Sequence, residues 1–380
     1  MSPAQKAKAK LSSARRLVLK IGSRALAGRK DRLDRSVFRA VAEDVARLRE
    51  AGKEVALVSS GAILAGRAKL GLWGRALTMP EKQATAAVGQ NLLMAEWAGA
   101  FARFGMAVGQ VLLTAEDLSD RRRYLNSRNT LEELLRLGVV PVINENDTVA
   151  VEEIRYGDND HLSTLVVGLM QADGLVILTD IDGLCAADPR LVPEAALVHE
   201  VREGDAELFA CAGKSSSGVG AGGMASKIEA ARTVARRGVP TVIANGKNRG
   251  IVGRIVAGAR EGTLFIPGGK PLRDQQYWLA FAGAAKGLVR VDAGARRAVE
   301  ERGKSLLPSG VVAVIGRFDP GAVVRVEDET GREIARGLTQ YSSSDLKKIA
   351  GKKSGEIEPI LGEKLYDEVI HRDHLVLTSR

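Results

Sequence analysis

A glycine-rich stretch at residues 214–227 carries the strongest chemical signal of this sequence. Four glycines lie within six positions, and a helical pattern of apolar residues follows at 228–237. Glycine lets the backbone approach a ligand closely, and the free N–H groups at a helix start attract an anion. Lys227 adds a positive charge in the first helical turn. The stretch therefore predicts a phosphate-binding loop, with a solvated linker as the alternative.

Two well-known phosphate motifs do not explain this loop. The glycine spacing at 218–223 matches a dinucleotide fingerprint, but it follows a polar loop instead of a strand, and no acidic residue lies near position 243. The string at 213–215 resembles the end of a Walker A loop, but Leu208 stands where that motif requires its first glycine. If the loop binds phosphates, it belongs to another nucleotide-binding class.

Two lysines near this machinery suit phosphoryl transfer. Lys20 interrupts an otherwise apolar strand at 16–22, where a lysine is rare unless it has a partner or a task. With Lys227 it would neutralise charge on a transferring phosphoryl group, alongside a magnesium ion. We assign no residue as a magnesium ligand from the sequence. The alternative for Lys20 is an edge or snorkelling lysine.

Amide and acid side chains suggest an amino-acid substrate. Asn144 and Asp147 end a predicted strand, and Asp158 and Asn159 precede a predicted helix. Amides donate hydrogen bonds to a carboxylate, and an aspartate accepts them from an ammonium group. An ionised carboxylate acceptor needs no general base. The alternative is that this segment only caps the helix, although Asp160 is placed to cap it and still face the site.

The alternation of strands and helices must position these groups. It predicts an α/β fold, with a doubly wound, mostly parallel sheet and helices on both faces. Parallel strands place their carboxyl ends along one edge, where ligands bind. The polar clusters at 59–61, 144–147 and 179–180 all fall at such ends. We therefore expect them to form one site.

The chain changes character after residue 268, where short apolar strands predict a small, mainly β second domain. The predicted division comprises a basic disordered tail at 1–16, a catalytic domain at 17–268, a linker at 269–285, the second domain at 286–364 and a C-terminal tail at 365–380.

The composition restricts the classes of function that we consider for this chain. The net charge of +10 is compatible with nucleic acid or with anionic metabolites. Cys185 and Cys211 have no metal-binding spacing, and no apolar run approaches the length of a membrane span. We expect a reduced, cytoplasmic protein without a membrane partner.

Several motifs together resemble the amino-acid kinase family, and within it the glutamate 5-kinases. They lie at 17–23, 58–63, 141–147, 157–160, 178–180 and 220–227. Residues 302–308 and 350–351 resemble the PUA domain that many bacterial members carry. The resemblance implies ATP-dependent phosphorylation of the γ-carboxylate of L-glutamate to L-glutamyl 5-phosphate, the first step of proline biosynthesis.

The resemblance also implies residue roles. Lys20 and Lys227 would contact the phosphates across the transfer, and Asp160 would orient both lysines. The residues implied to hold glutamate are Ser60, Asn144, Asp147, Asp158 and Asn159. The residues implied to hold ATP are Lys20, Thr179, Asp180, Ala221, Gly222, Gly223, Met224, Ala225, Ser226 and Lys227. Three positions depart from the family pattern, namely His161, Ala221 and Ala225.

The resemblance further implies ATP and Mg²⁺ as cofactors and proline as a feedback inhibitor. A homo-oligomer is expected, since a helix rich in small residues spans about 81–104. Contact with glutamate-5-semialdehyde dehydrogenase and RNA binding by the PUA domain are left open. Three rival functions remain: an amino-acid kinase with N-acetylglutamate, aspartate or a nucleotide as acceptor, an RNA-binding protein, and a non-catalytic amino-acid sensor.

Overall fold

The structure, a computed structural model, describes residues 1–28, 32–149, 159–187, 192, 194–202, 205, 223–269 and 271–378. The chain divides into two compact units. The first consists of residues 1–118 and 122–271, and the second of residues 119–121 and 272–380.

The described part of the first unit contains an eight-stranded sheet in the order β3-β4-β2-β1-β5-β7-β8-β6. Neighbouring strands are parallel except for β7 and β8, which are antiparallel. The strands are β1 Arg16–Ile21, β2 Glu54–Ser59, β3 Val108–Leu113, β4 Val140–Glu145, β5 Gly174–Thr179, β6 Glu200–Arg202, β7 Thr241–Asn245 and β8 Thr263–Ile266.

Helices connect most of these strands. They are α1 Pro3–Ser12, α2 Ser23–Leu26, α3 Arg35–Glu50, α4 Ala62–Leu70, α5 Met79–Ala102, α6 Ala115–Ser119, α7 Arg121–Arg136, α8 Asn159–Met170, α9 Met224–Ala235 and α10 Ile251–Val256. Among the described residues, none of the helices combines the length and apolarity that a membrane crossing requires.

Helices cover both faces of the sheet. Alternate residues of a strand face opposite sides, so each strand can pack against both layers of helices. On one side, Leu17, Leu19 and Ile21 of β1 join a core with α1, α3, α5 and α10. Lys20 therefore faces the other side, where α8 packs against β1 and against α9. The predicted doubly wound, mostly parallel fold is confirmed.

Helix α3 shows how the local sequence sets these boundaries. The Asp34 side chain accepts a hydrogen bond from the Ser36 N–H at 2.9 Å, which satisfies one of the free donors of the first turn. The apolar residues predicted for this helix, among them Phe38 and Val45, are buried. The chain leaves the helix through Gly52, whose φ of +76° favours glycine.

The N-terminal segment is not a disordered tail, contrary to the sequence-based expectation. Helix α1 buries Ala4, Ala7 and Leu11 on one side. Lys10 donates a 2.7 Å hydrogen bond to a backbone carbonyl in the loop before β7. Lysines are frequent in this segment, but three of its apolar residues share one helical face, and the burial of that face stabilises the helix.

The second unit contains a five-stranded sheet in the order β10-β9-β11-β12-β13. Its strands are β9 Gly287–Val291, β10 Val311–Gly316, β11 Val323–Glu327, β12 Glu333–Leu338 and β13 Leu375–Leu377. Its helices are α11 Asp274–Phe281, α12 Ala293–Glu300, α13 Ser343–Ile349 and α14 Ile357–Leu361. The expected small, mainly β module is confirmed.

Two predicted connecting segments of this unit are structured, so those expectations are wrong. The predicted linker contains α11, which buries Tyr277, Trp278 and Leu279. The predicted C-terminal tail contains β13, which pairs antiparallel with β12. Both elements are short, and their pairing and packing partners lie elsewhere in the chain, where a local pattern does not show them.

Candidate active site

Lys20 is buried in the centre of the first sheet, with only 2 % of its surface exposed. Its strand β1 lies between the parallel strands β2 and β5. The Lys20 Nζ atom is 2.6 Å from Oδ1 of Asp160, the second residue of α8. A buried lysine with a buried carboxylate partner is neither an edge nor a snorkelling lysine.

A second lysine reaches the same carboxylate from the opposite helix. Lys227, in the first turn of α9, places its Nζ atom 3.2 Å from Oδ2 of Asp160. The Ser226 hydroxyl donates to the same Oδ2 atom at 2.7 Å. Two buried ammonium groups thus share one buried carboxylate, and this ion cluster carries a net charge of +1.

Opposing effects act on the pKa of Asp160. Burial raises its pKa, but the charges of Lys20 and Lys227 and the hydrogen bonds from Lys20 and Ser226 outweigh burial and hold the pKa below its ordinary value. The next residue, His161, has its pKa lowered by burial alone. At neutral pH the cluster therefore contains an ionised Asp160 beside an uncharged His161.

The start of α9 combines a helix N-terminus with this positive charge. Gly223 is the N-cap residue in an extended conformation. Lys227 Nζ donates to the Gly223 carbonyl at 3.4 Å, and the Ser226 hydroxyl oxygen lies 2.8 Å from the same carbonyl oxygen, so both side chains fold back toward the helix start. Met224 is half-buried and Ala225 is exposed in the same turn. This arrangement suits an anionic ligand such as a phosphate.

Three of the predicted acceptor residues form one hydrogen-bonded network beside the ion cluster. The Asn159 Nδ2 group donates to Ser60 Oγ at 3.0 Å and to Asn144 Oδ1 at 2.9 Å. The Glu145 backbone N–H donates to Asn144 Oδ1 at 2.9 Å and to Asn159 Oδ1 at 3.3 Å. Because α8 begins at Asn159, the amide network and the ion cluster share consecutive residues.

The network leaves donors for an anionic oxygen. Asn144 Nδ2 has two hydrogens and gives one to Gln90 Oε1 at 2.8 Å. The Ser60 hydroxyl accepts from Asn159 and retains its own proton for a ligand. An amide donor and a hydroxyl donor at one strand edge are suited to a carboxylate.

Asp147 lies in a neighbouring pocket at the ends of β3 and β4. The pocket has a volume of about 320 Å³. It is lined by Ala86, Ala87, Gln90, Asn91, Gln110, Leu112, Glu145, Asn146, Asp147 and Thr148. Asp147 therefore lines the same pocket as Gln90, which itself contacts the amide network through Asn144.

Of the predicted nucleotide residues, Thr179 ends the strand β5 and Asp180 follows it. The Thr179 hydroxyl donates to Asp180 Oδ1 at 3.1 Å. Strand β7 ends beside them, and its Asn245 Nδ2 donates to Asp182 Oδ1 at 3.0 Å. The Gly246 N–H donates to the Thr179 carbonyl at 2.8 Å, which joins the two strand ends.

Comparisons with known proteins identify the family of this chain. The model of the amino acid kinase family matches residues 15–245, and that of the PUA domain matches residues 287–361. A glutamate 5-kinase from Trichlorobacter lovleyi is 51% identical over 369 residues, covering 97% of this chain and 98% of that protein. The chain belongs to the amino acid kinase family, in its glutamate 5-kinase branch.

One further relative and one solved structure also match this chain. A glutamate 5-kinase from Pelobacter propionicus is 50% identical over 363 residues, covering 96% of this chain and 97% of that protein. Among solved structures, UMP kinase from Bacillus anthracis matches with a TM-score of 0.48 and 16% identity, covering 67% of this chain and 97% of that one. Membership of a kinase family implies that the chain uses ATP.

Some predicted kinase residues fall outside the described residues. They are Asp158 of the acceptor set and Ala221 and Gly222 of the nucleotide set, together with the glycines at 218 and 220. Their roles stay predictions.

Two residues that the sequence analysis did not identify lie beside predicted site residues. Gln90 lies inside the long helix α5 and hydrogen-bonds Asn144. Asn245 follows an apolar strand in the same way as Asn144 and Thr179, so the strand-end rule was a signal that could have found it. Gln90 has no such signal, because one glutamine in a helix of small residues looks like a solvent-facing position.

Proposed function

We propose that this chain transfers the γ-phosphoryl group of ATP to the γ-carboxylate of L-glutamate, giving L-glutamyl 5-phosphate and ADP, the first step of proline biosynthesis. One observation carries the proposal. Two buried lysines converge on Asp160, and the amide network of Asn144 and Asn159 begins one residue earlier. Positive charge for a phosphoryl group thus lies next to donors for a carboxylate.

The proposed chemistry needs no proton transfer. A γ-carboxylate oxygen forms a bond to the γ-phosphorus of ATP while the bond from that phosphorus to the bridging oxygen breaks, and the electron pair leaves with ADP. Lys20 and Lys227 stabilise the charge on the equatorial oxygens, since preorganised charge is the main contribution of a protein to phosphoryl transfer. Asp160 holds both ammonium groups in place and stays ionised.

Separate sets of residues bind the carboxylate acceptor and the nucleotide. Ser60 and Asn144 donate to the acceptor, while Asp147 and Asp158 accept from its ammonium group. Thr179 and Asp180 hold the nucleotide near the end of β5. Lys227 and residues 221–226 hold its phosphates together with Lys20.

Magnesium fits this site as a partner of the nucleotide. Both Asp160 oxygens are already engaged by ammonium and hydroxyl groups, so Asp160 does not serve as its ligand. Among the described residues, no group of three His, Cys, Asp or Glu side chains converges to hold a metal ion. A magnesium ion held chiefly by phosphate oxygens and water is consistent with this donor set, and it would neutralise phosphate charge.

The oligomer and partners implied by the resemblance are part of the proposal. Between residues 84 and 99 the exposed positions of α5 are uncharged and mainly small, which supports a second copy of the chain as its partner; these residues are Ala84, Ala87, Val88, Asn91, Ala95, Ala98 and Gly99. Sedimentation of the purified protein measures the oligomeric state. Feedback inhibition by proline, contact with glutamate-5-semialdehyde dehydrogenase and a cytoplasmic location rest on the resemblance alone.

The test of the reaction is ADP release with ATP and Mg²⁺ and three separate acceptors. These are L-glutamate, N-acetyl-L-glutamate and L-aspartate, with hydroxylamine present to trap an acyl phosphate as the hydroxamate. We expect turnover and hydroxamate with L-glutamate alone. Turnover with another acceptor overturns the substrate but keeps the kinase chemistry, and no turnover with any of them favours a sensor or an RNA-binding protein.

A further inference from the structure

Gln90 is held at a fixed distance from the acceptor site by close helix packing. Its neighbour Gly89 lies against α4, where an added Cβ would be 1.8 Å from the Ala62 carbonyl oxygen and 2.5 Å from the Gly66 nitrogen. Helix α4 begins at Ala62, two residues after Ser60. The backbone that presents Gln90 is therefore packed directly on the segment that presents Ser60.

Hydrogen bonding to Gln90 helps to fix the orientation of the Asn144 side-chain amide. A backbone N–H only donates, so the atom of Asn144 next to the Glu145 N–H is its oxygen. The Asn144 nitrogen must then point the other way, and there it donates to Gln90 Oε1 at 2.8 Å. Gln90 Oε1 thus serves as the hydrogen-bond acceptor that holds the Asn144 Nδ2 group in place. The second hydrogen of that group is held with it.

Stability alone does not account for this glutamine. The Gln90 Nε2 atom is buried and has no hydrogen-bond partner among the described residues, and leaving a buried donor unpaired costs free energy. Gln90 also lines the pocket that contains Asp147. A side chain that costs stability and contacts both Asn144 and the Asp147 pocket fits a role in substrate positioning.

We propose that Gln90 is a positioning residue for the carboxylate acceptor, acting through Asn144. The proposal rests on the proposed function, since it assumes that Asn144 contacts the acceptor. Gln90 fixes the Asn144 nitrogen toward the substrate, so it sets the affinity for the acceptor and leaves ATP binding unaffected. The Lys20, Asp160 and Lys227 cluster is independent of it.

The test compares Gln90→Met, which keeps the length of the side chain and removes the hydrogen-bond acceptor, with Lys82→Met, which places a methionine at an exposed position of the same helix outside this pocket. We expect Gln90→Met to raise the KM for L-glutamate about tenfold, while the KM for ATP and kcat change less than about twofold. Lys82→Met should leave all three near wild type. Equal changes in both KM values, or no change in either, would overturn the proposal.

A double-mutant cycle separates positioning from a general loss of packing. In the Asn144→Ala background, Gln90→Met should add no further increase in the KM for the acceptor, because its target is already gone. Additive effects would show that Gln90 acts by another route. If the wild type turns over a different carboxylate acceptor, the same cycle is read with that acceptor, so the two proposals fail separately.

Discussion

Asp160 is an ion-pair partner that both lysines share. Without this carboxylate, the two buried ammonium groups would repel each other in a site from which water is excluded. Removing one lysine is less disruptive, since Asp160 keeps the other lysine and Ser226 as partners. Lysine variants therefore test catalysis more cleanly than Asp160 variants do.

Lys227→Met should lower kcat by about 10²–10³-fold and leave the protein folded, because it removes charge from the transition state but spares the Lys20–Asp160 pair. The measurement is steady-state ADP release together with circular dichroism. Lys348→Met, which removes an exposed charge from α13, is the control and should behave as wild type. A Lys227 variant with near-normal kcat would remove this residue from the mechanism.

His161 should make the stability of the protein depend on pH. Burial lowers its pKa in the folded state, so the unfolded chain takes up the proton first, at about pH 6.5. Stability is therefore lost as the pH falls below that value, by up to about 1.4 kcal/mol per pH unit.

Urea unfolding at pH 7.5 and pH 5.5 measures this dependence. His161→Asn should lose less stability between the two values than wild type does. The half-buried His374, changed to Asn, provides the comparison. An unchanged pH dependence in the His161 variant would show that the imidazole is not responsible.

At the scale of elements, Asp44 of α3 completes the start of α10. The N-cap of α10 is Gly250, which has no side chain to offer. Instead, Asp44 Oδ2 accepts from the Val252 N–H at 3.0 Å, and the carboxylate is buried. Burial raises its pKa, although the hydrogen bond from Val252 acts in the opposite direction.

Asp44→Ala should destabilise the protein by about 1–2 kcal/mol, since it leaves a helix donor unpaired. Asp44→Asn keeps an acceptor oxygen and removes a buried charge, so its stability at pH 7 should equal or exceed that of wild type. A raised folded pKa also means that wild type gains stability as the pH falls through it, and the Asn variant should not. Thermal melts from pH 7 to pH 4 test all three statements, with Glu50→Gln on the same helix as control.

The elements also show which parts of the structure a local pattern predicts. Strand ends carrying Asn144 and Thr179 were predictable, since alternating strands and helices put such residues on one edge. Helix α1 was missed because three apolar residues among lysines form a face only after the helix forms. Gln90 was not predictable, because its role depends on the packing of α5 on α4, which brings residues far apart in sequence together.

At the scale of the whole molecule, each unit has a hydrophobic core of its own. One cluster joins β1 and β2 with α3 and α5, and a separate cluster joins β9, β11 and β12 with α13. Each unit is also of a size that folds independently.

A chain ending at residue 271 should therefore unfold cooperatively and keep kcat within about threefold of the full protein. Calorimetry and the ADP assay measure both properties. An aggregated or inactive fragment would show that the catalytic unit requires the second one.

The charges of the second unit bear on the RNA-binding alternative. Several of its arginines are paired with acidic residues, as in Arg290–Glu327 at 3.6 Å and Arg332–Glu300 at 3.1 Å. Paired arginines offer less charge to phosphates, so we expect weak binding of generic RNA with a small salt dependence. Filter binding at 50 and 200 mM salt measures the affinity for RNA and its salt dependence. A steep loss of affinity with salt would favour the RNA-binding function.

The peptide bond between Asn159 and Asp160 joins the two halves of the site. In the proposed reaction, ordering the amide network around the acceptor restricts the same backbone that holds the two lysines for the nucleotide. The second ligand then loses less conformational freedom on arrival than the first did. Thermodynamic reciprocity requires that the acceptor and the nucleotide strengthen each other's binding by the same factor.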